Sequence, residues 1–362
     1  MAQLDDIEAQ IKLDVSQTYE SIVSFPKQCQ HAFDATANLV VPASYKDIDK
    51  ILMTGMGGSG LGARIIESVY ASNLKYPVIR YNGYGLPAWV DDKTLVICSS
   101  FSGTTEETIS NAKSAIEKKM KWMAISAGAE LIALAKAEGV PYYQIEPTYN
   151  PSKQPRLAIG YSVVGQLRLV AADGIISFGQ KEIDASVARM NSIIDAQKRE
   201  NTTVTNPAKQ LASAIAEKQV IFVGASHLIG AIHTIKNQMN ENAKHLSHLH
   251  EIPELNHHLM EGLAFPAINK ESVIFFLIVS DSYSESIKKR FAITKDVIEQ
   301  NGIEVVEYHV TAGDALVESF DVIQFGALIN YYLSMLHNID PAPIPWVDYF
   351  KTQLGQPLGE FK

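Results

Sequence analysis

The feature that most constrains the fold is the alternation of short β-rich runs with longer helical patterns along the chain. Alternation of this kind is typical of parallel sheets whose strands are joined by crossover helices. The β-rich runs form two series, a first at residues 50–53, 77–81, 94–98, 121–125 and 142–145, and a second at 220–223, 273–279 and 305–309. We therefore expect an α/β protein with two domains in tandem, each built on a doubly wound parallel sheet.

The stretch between the two series, residues 156–207, contains no convincing strand and at least two amphipathic helical patterns. It predicts a helical bridge between the domains. A Pro-, Asn- and Tyr-rich segment at 146–155 marks the first boundary, and residues 201–207 mark the second. The expected parts of the chain are a helical N-terminal segment at 1–40, a first domain at 41–155, the bridge at 156–207, a second domain at 208–338 and a tail at 339–362.

The composition is that of a soluble globular protein, with 46% apolar and 20% charged residues among 362. The longest apolar run, residues 273–279, is far shorter than the roughly 20 residues that a membrane-spanning helix needs. Asp5, Asp6 and Glu8 lie where a secretory signal would be basic. We therefore expect neither export nor a membrane partner.

The cysteines indicate the cellular compartment of the protein, and the net charge limits the classes of partner it can bind. Only Cys29 and Cys98 occur, and Cys98 ends a β-rich run, so a structural disulfide is not expected and a reducing, cytoplasmic location is. The formal net charge of −9 argues against nucleic acid as a partner, because binding its phosphates needs a basic surface. An anionic substrate would have to be attracted by a local site.

A glycine-rich loop follows the first strand and opens a helix; it contains Gly55, Gly57, Gly58, Ser59 and Gly60. Backbone amides at such a helix start could hold an anion. The glycines also satisfy the dinucleotide fingerprint G-x-G-x-x-G, but the next strand ends without the acidic residue that would hold a ribose, although Arg80 could suit a 2′-phosphate. A turn that serves only close helix–strand packing is the structural alternative.

A second loop, between the run at 94–98 and a helical pattern, is dense in hydroxyl groups. Its members are Ser99, Ser100, Ser102, Thr104 and Thr105, with Gly103 allowing a tight turn. Hydroxyls packed at a helix N-terminus can hold a phosphate dianion without any lysine. The alternative is a helix N-cap with a capping box, but a cap needs one hydroxyl and this loop supplies five, which favours phosphate.

These two loops resemble those of the sugar isomerase (SIS) domain family. The family phosphate loop has the form S-x-S-G-x-T-x-E-T, matched here by Ser100, Ser102, Gly103, Thr105, Glu107 and Thr108. The resemblance implies two SIS-type, flavodoxin-like domains, a small-molecule sugar phosphate as the substrate and no cofactor. It also implies that Gly57, Gly58 and Ser59 contact the substrate.

A motif in the second half of the chain combines Glu241, in residues 236–244, with His257, in residues 251–258. An aldose–ketose conversion needs a carboxylate to move a proton between C1 and C2, and a second group to open the sugar ring. The pair resembles that of the bifunctional phosphoglucose/phosphomannose isomerases, a branch of the SIS family, and the resemblance extends over nearly the whole chain. It implies Glu241 as the enediol base and His257, contributed by the neighbouring subunit of a homodimer, as the ring-opening group.

The same resemblance implies two further site residues, Arg156, which would stabilise the enediolate, and Lys351, which would assist ring opening. Each of the four assignments has a structural alternative. Glu241 could be a solvated helix residue, His257 a structural histidine, Arg156 half of a surface ion pair and Lys351 a solvated lysine. Residues 340–345 contain no threonine in register with the one that admits mannose 6-phosphate in relatives, so acceptance of that epimer stays open.

Five of the ten histidines lie between residues 245 and 258. The spacing of His245, His248 and His250 suggests a metal site, but it does not reproduce known helical metal motifs, and the implied chemistry needs no Lewis acid. No metal is expected, and we interpret these three as loop or interface residues. His258 stands where many relatives have asparagine.

Two other functions compete with an isomerase. SIS domains also occur in regulatory proteins that bind a sugar phosphate without converting it, but such a sensor would not need Glu241 and His257. An enzyme that uses ammonia to make an aminosugar phosphate would ordinarily carry a glutaminase module with an N-terminal cysteine nucleophile, whereas this sequence starts Met1-Ala2. The enzyme interpretation, an isomerase acting on glucose 6-phosphate and fructose 6-phosphate, is therefore favoured.

Overall fold

A computed structural model describes residues 2–172 and 174–358 of the chain. These residues form two parallel sheets. The strands of the first sheet are β1 (Lys50–Thr54), β2 (Val78–Tyr81), β3 (Thr94–Ser99), β4 (Lys121–Ser126) and β5 (Tyr142–Gln144). Those of the second are β6 (Gln219–Ala225), β7 (Ser247–Ile252), β8 (Val273–Ser280) and β9 (Glu304–Val310).

Helices precede, connect and follow these strands. In chain order they are α1 (Ile7–Leu13), α2 (Thr18–Val23), α3 (Phe25–Ala35), α4 (Leu61–Val69), α5 (Glu106–Glu117), α6 (Ala129–Glu138), α7 (Ile159–Ala172), α8 (Gln180–Gln197), α9 (Pro207–Ile215), α10 (Ile229–Asn242), α11 (Asn269–Ser272), α12 (Glu285–Gln300), α13 (Ala315–Leu336) and α14 (Pro345–Leu358). In the described part of residues 156–207, helices occur and no strand does, and α7 and α8 lie between the two sheets in sequence.

The strand order of the first sheet is β2-β1-β3-β4-β5, and that of the second is β7-β6-β8-β9. Both have the strand order of a flavodoxin-like doubly wound sheet. In this order the second strand of each domain lies at the edge of the sheet, and the first strand lies next to it, nearer the centre. The strands β3 and β8 are almost completely buried, as expected for runs such as Leu95 to Ile97 that helices cover on both faces. The fold-class prediction is therefore confirmed.

The histidine-rich segment at 245–258 differs from the sequence-based interpretation. The sequence indicates a loop or an interface for His245, His248 and His250; the loop alternative is wrong for residues 247–252, because Ser247–Ile252 forms the edge strand β7, which pairs with β6 along its whole length. His248 and His250 therefore lie on a strand. Because an edge strand covers little core, its sequence does not need the apolar run that reveals a central strand.

The two domains are joined through packed helices. Helix α4 of the first domain packs on α10 of the second, and α13 packs on both α8 and α10. Nearly every residue of α13 is buried, and most of its side chains are apolar. Although α13 is long, no helix in the ranges that the structure describes is both long and apolar enough to cross a membrane.

Candidate active site

The hydroxyl-rich loop lies at the carboxyl edge of the first sheet, between β3 and α5. Ser100 Oγ is 2.8 Å from Thr105 Oγ1 and 3.4 Å from Ser102 Oγ, so the three hydroxyls form one cluster. Thr105 is the N-cap residue of α5, yet its side chain makes no capping hydrogen bond. Gly103 has a φ of 75°, and a Cβ there would lie 1.9 Å from Gly128 O. The loop therefore holds its hydroxyls together at the helix start instead of using them as a cap.

The glycine loop lies directly beside this cluster. Ser59 Oγ accepts a hydrogen bond from the Phe101 backbone N–H at 2.8 Å, which ties the two loops together. On its other side, a Cβ on Gly58 would lie 3.2 Å from Pro155 O and 3.3 Å from the Cα of Arg156. The lack of a side chain at Gly58 thus lets the glycine loop approach the segment that carries Arg156. Gly57, with a φ of 50°, starts the turn.

Glu241 lies in the last turn of α10, beside Arg156. Its Oε2 is 3.9 Å from Arg156 Nη1, and its side chain is 32% exposed. Burial raises the pKa of the Glu241 carboxyl, while the charges of Arg156 and Lys351 oppose this effect, and the net direction is upward. A carboxylate with a raised pKa, held beside a fixed cation and still open to solvent, has the properties of a general base.

Arg156 is 3% exposed, and most of its hydrogen-bonding capacity is used within the protein. A guanidinium has five N–H groups. Four of them donate to Asn242 Oδ1 at 2.5 Å, Gln154 Oε1 at 2.9 Å, Pro341 O at 3.0 Å and Ala342 O at 2.6 Å. One N–H on Nη1 remains, and Nη1 is the atom that lies nearest to Glu241 in this ion pair. Arg156 thus has one directed donor for the site and is otherwise held rigidly.

Lys351 lies on α14, a helix in the segment that the sequence indicated only as a tail. Its side chain is exposed, and its charge is close enough to lower the pKa of Glu241. The turn that leads to α14 is held by Arg156, through the carbonyls of Pro341 and Ala342. The same arginine therefore contacts Glu241 and fixes the start of the segment that carries Lys351.

The structure does not bring His257 to this cluster within one chain. His257 is exposed and ends the 3-10 turn Glu254–His257, which follows β7. Glu241 lies near the other end of β7, because its neighbour Asn240 accepts a hydrogen bond from Ser247 N at 3.1 Å. No hydrogen bond or ion pair of the described residues joins the two side chains.

Sequence reasoning missed three buried amides that hold the site together. Gln166 Nε2 donates to Ser59 O at 2.8 Å and to Ser99 Oγ at 3.2 Å. Gln238 Nε2 donates to Arg156 O at 3.0 Å, and Asn242 accepts from the same arginine. Gln166 and Gln238 lie within helical patterns that give no sign of their partners. The only available signal was that Asn242 adjoins Glu241.

The structure gives little support to a dinucleotide site at the glycine loop. Arg80, which by sequence could suit a 2′-phosphate, pairs with Glu67. The cavity beside the glycine loop that Arg80 helps to line has a volume of about 60 Å³, well below the ~300–1,000 Å³ of ordinary ligand pockets. This space does not fit a dinucleotide.

The histidines of the 245–258 segment have separate partners. His245 Nδ1 lies 3.1 Å from His337 Nε2, His248 Nε2 lies 2.8 Å from an amide nitrogen of Gln219, and the His250 ring faces His258 at 5.8 Å. Across residues 2–172 and 174–358, no group of three or more His, Cys, Asp or Glu side chains is arranged to hold a metal ion.

Comparison with known proteins decides the family. The chain is 34% identical, over 342 residues, to the bifunctional phosphoglucose/phosphomannose isomerase of Caldicellulosiruptor bescii, and the alignment spans 93% of this chain and 99% of that relative. The chain belongs to the bifunctional phosphoglucose/phosphomannose isomerase family. The resemblance inferred from the two loops and the Glu241 motif is therefore confirmed at the level of the family.

Two further kinds of comparison, with family models and with solved structures, concern the C-terminal part of the chain and the fold. Residues 204–354 match the family model of the bacterial phospho-glucose isomerase C-terminal SIS domain. A hypothetical protein of Thermus thermophilus has a similar structure, with a TM-score of 0.72 at 14% identity over 97% of this chain and 94% of that one. The tagatose-6-phosphate ketose/aldose isomerase of Escherichia coli gives a TM-score of 0.70 at 14% identity over 91% and 96% of the two chains. At these identities the structures support the fold alone.

Proposed function

We propose that this protein interconverts glucose 6-phosphate and fructose 6-phosphate through a cis-enediolate, with Glu241 as the base. The relative from Caldicellulosiruptor bescii is named for phosphoglucose and phosphomannose isomerisation, so mannose 6-phosphate is a second candidate substrate. The observation that carries the proposal is the position of the Glu241 carboxylate, whose Oε2 is 3.9 Å from Nη1 of the buried Arg156. Arg156 lies beside Gly58 of the glycine loop, and Ser59 of that loop is hydrogen-bonded to Phe101 of the hydroxyl-rich loop.

The loops would hold the phosphate end of the sugar. Ser100, Ser102 and Thr105 present clustered hydroxyls at the N-terminus of α5, where the helix dipole adds a favourable field for an anion. Backbone amides of the glycine loop border the same space, since Ser59 is bonded to Phe101. With the phosphate held here, the reacting end of the open-chain sugar would extend past Gly58 towards Glu241.

The chemistry then needs one base and one stabilising cation. The Glu241 carboxylate removes the proton on C2 of the aldose, the C–H electron pair forms the C1–C2 double bond, and negative charge develops on O1. O1 takes up a proton, O2 loses its proton as the ketone forms, and the protonated Glu241 returns its proton to C1. The remaining N–H of Arg156 is fixed by four other hydrogen bonds, so it can stabilise the enediolate without reorganising.

The ring-opening group would come from a second subunit. Glu241 lies near the start of β7 and His257 lies in the turn that follows its end, and no hydrogen bond or ion pair of the described residues joins the two side chains. A proton carrier must be within hydrogen-bond reach of the ring oxygen, and His257 of the same chain makes no contact with Glu241 or Arg156 that would place it there. A homodimer with shared sites would satisfy this requirement. Exposed aromatic side chains on α14, Trp346, Tyr349 and Phe350, are consistent with a partner covering this region.

Kinetics of two substitutions test the proposal. Glu241→Gln should lower kcat at least ~10²-fold, the usual effect of losing a general base, while leaving binding of fructose 6-phosphate nearly unchanged. Ser102→Ala should instead weaken sugar-phosphate binding about ten- to one-hundredfold, because a hydrogen bond to a charged group contributes roughly 1.5–3 kcal/mol. Both are measured by a coupled assay with glucose, mannose and fructose 6-phosphates.

The matched controls are Glu299→Gln and Ser286→Ala, which make the same changes at exposed positions in the last and first turns of α12. Both should behave like the unmodified protein. Turnover by Glu241→Gln within a few fold of the unmodified enzyme would remove Glu241 from the mechanism. Specific binding of sugar phosphates without any turnover by the unmodified protein would instead identify a sensor.

A further inference from the structure

The second domain contains a counterpart of the glycine loop and a counterpart of the hydroxyl-rich loop. By strand order, β6 corresponds to β1 and β8 corresponds to β3. The glycine loop passes through the 3-10 turn Gly57–Gly60 into α4, and β6 is followed by the 3-10 turn Ser226–Leu228 and then α10. Both turns start with a left-handed residue, with φ of 50° at Gly57 and 49° at Ser226. The two loops therefore have similar backbone paths at equivalent places.

The loop after β8 resembles the hydroxyl-rich loop after β3. Ser280 ends the strand, Ser282 follows, and Ser284 is the N-cap residue of α12, as Thr105 is for α5. A hydrogen bond also ties this pair of loops together, from Ala225 N to Tyr283 Oη at 3.2 Å. The second domain thus presents hydroxyls at the same edge of its sheet as the first domain.

A buried carboxylate, Glu318, occupies the point on which these groups converge. Glu318 lies in the first turn of α13 and has no exposed surface. Its two oxygens have four polar neighbours from three loops, namely His227 Nε2 at 2.7 Å, Ser280 Oγ at 2.6 Å, Ser282 Oγ at 3.0 Å and Gly313 N at 2.9 Å. An ionised carboxylate only accepts hydrogen bonds, so all four groups donate to it.

The surroundings of Glu318 stabilise its charged form, as a binding site stabilises a bound anion. Burial by itself raises the pKa of the Glu318 carboxyl, but the hydrogen bonds from His227, Ser280, Gly313 and Ser282 outweigh burial and bring the pKa below its ordinary value. In the first domain, by contrast, the hydroxyls of Ser100 and Thr105 bond to each other. No hydrogen bond among the described residues joins the hydroxyls of that loop to a carboxylate.

We propose that Glu318 is an internal anion that fills the second domain's counterpart of the phosphate site. Its carboxylate makes the hydrogen bonds that a phosphate or sulfate oxygen pair would make there, so this counterpart is closed to phosphate in the unmodified protein. This inference takes the phosphate-binding role of the first-domain loop from the proposed function and otherwise rests on the repeated fold and on the contacts of Glu318, so it would stand even if Glu241 were not the catalytic base.

Replacing Glu318 by Ala removes the internal anion and leaves four convergent donors, so the variant should gain a site for inorganic phosphate. Its melting temperature is measured against phosphate concentration, with chloride keeping the ionic strength constant. Phosphate at ten times the Kd of a new site multiplies the ratio of folded to unfolded protein about elevenfold. Glu318→Ala should therefore gain more thermal stability from phosphate than the unmodified protein, whose own gain comes from the first-domain loop.

Two controls separate a new site from general stabilisation. Glu318→Gln fills the same space with a neutral amide and should respond to phosphate no more than the unmodified protein. Asp14→Ala removes another buried carboxylate, one that accepts hydrogen bonds from the backbone of Thr18 and Tyr19, and should likewise show no extra response. An equal phosphate response in all four proteins would overturn the proposal.

Glu318→Ala is expected to be the least stable variant, and its refolding provides a second measurement. Recovery of soluble protein from denaturant is compared in phosphate and in chloride of equal ionic strength. Phosphate should increase recovery of Glu318→Ala several-fold more than recovery of Asp14→Ala. Recovery of Glu318→Ala that is the same in both salts would also overturn the proposal.

Discussion

Replacing Gly230 by Ala should push apart the two helices that join the domains at the candidate site. Gly230 lies in the first turn of α10, and a Cβ there would be 2.6 Å from Arg64 O and 2.8 Å from Ile65 N, both backbone atoms of α4. Ordinary contacts begin at 3.4 Å, so the helices must separate by about 0.8 Å. Because both neighbours are backbone atoms, no side chain can rotate to relieve the clash.

This displacement acts on the base through the helix. Glu241 lies 11 residues beyond Gly230 on α10, about 16 Å along the axis at 1.5 Å per residue. Overpacking of this kind costs about 1–3 kcal/mol of unfolding free energy. A misplacement of about 1 Å at a catalytic group can lower turnover by ~10²-fold. We expect Gly230→Ala to lose both stability and kcat while keeping most of its affinity for inorganic phosphate, because the hydroxyl-rich loop proposed to bind the phosphate lies between β3 and α5 and belongs to neither α4 nor α10.

Denaturant unfolding and steady-state kinetics measure the two effects. The control is Gly262→Ala, at an exposed glycine in the 3-10 turn Met260–Ala264, where an added Cβ would have no atom within 4 Å; this change should be neutral or slightly stabilising. If Gly230→Ala unfolds and turns over like Gly262→Ala, the close packing of α4 on α10 does not position Glu241, and the reasoning is refuted.

Two further predictions concern the shared site and its pH dependence. Mixing the inactive variants Glu241→Gln and His257→Ala under subunit exchange should restore about a quarter of the unmodified activity, since half of the dimers are mixed and each has one intact site; no recovery despite exchange verified by mass spectrometry would place both groups in one chain. Lys351→Met should move the acid limb of kcat/KM to higher pH, because the lysine charge holds down a Glu241 pKa that burial has raised above its ordinary value, and the base must be ionised. Lys351→Arg keeps the charge and should leave the limb in place; a limb unmoved in both variants would show that Lys351 does not act on Glu241.

The sequence predicted those features that depend on neighbouring residues. The apolar runs of β3 and β8, the helical patterns between strands and the two loops at strand ends are all local, and they were sufficient for the fold class. Glu241 was predicted as the base from the resemblance of one continuous motif to that of the isomerase family, and its role stays a prediction. The edge strand β7 was missed because only one of its edges is paired and its sequence is largely polar.

What only the tertiary structure decided are the contacts between distant parts of the chain. Arg156 bonds to Asn242 and to Pro341, 86 and 185 residues away, and these contacts leave it one directed donor for the site. Glu318 meets His227 across 91 residues, in a site that no local pattern marks. Periodicity and turn chemistry determine which element forms at each position, but hydrogen-bond partners between elements depend on how the helices pack on the sheets. Only the structure shows that His257 and Glu241, 16 positions apart in the sequence, share no hydrogen bond or ion pair in the described part of one chain.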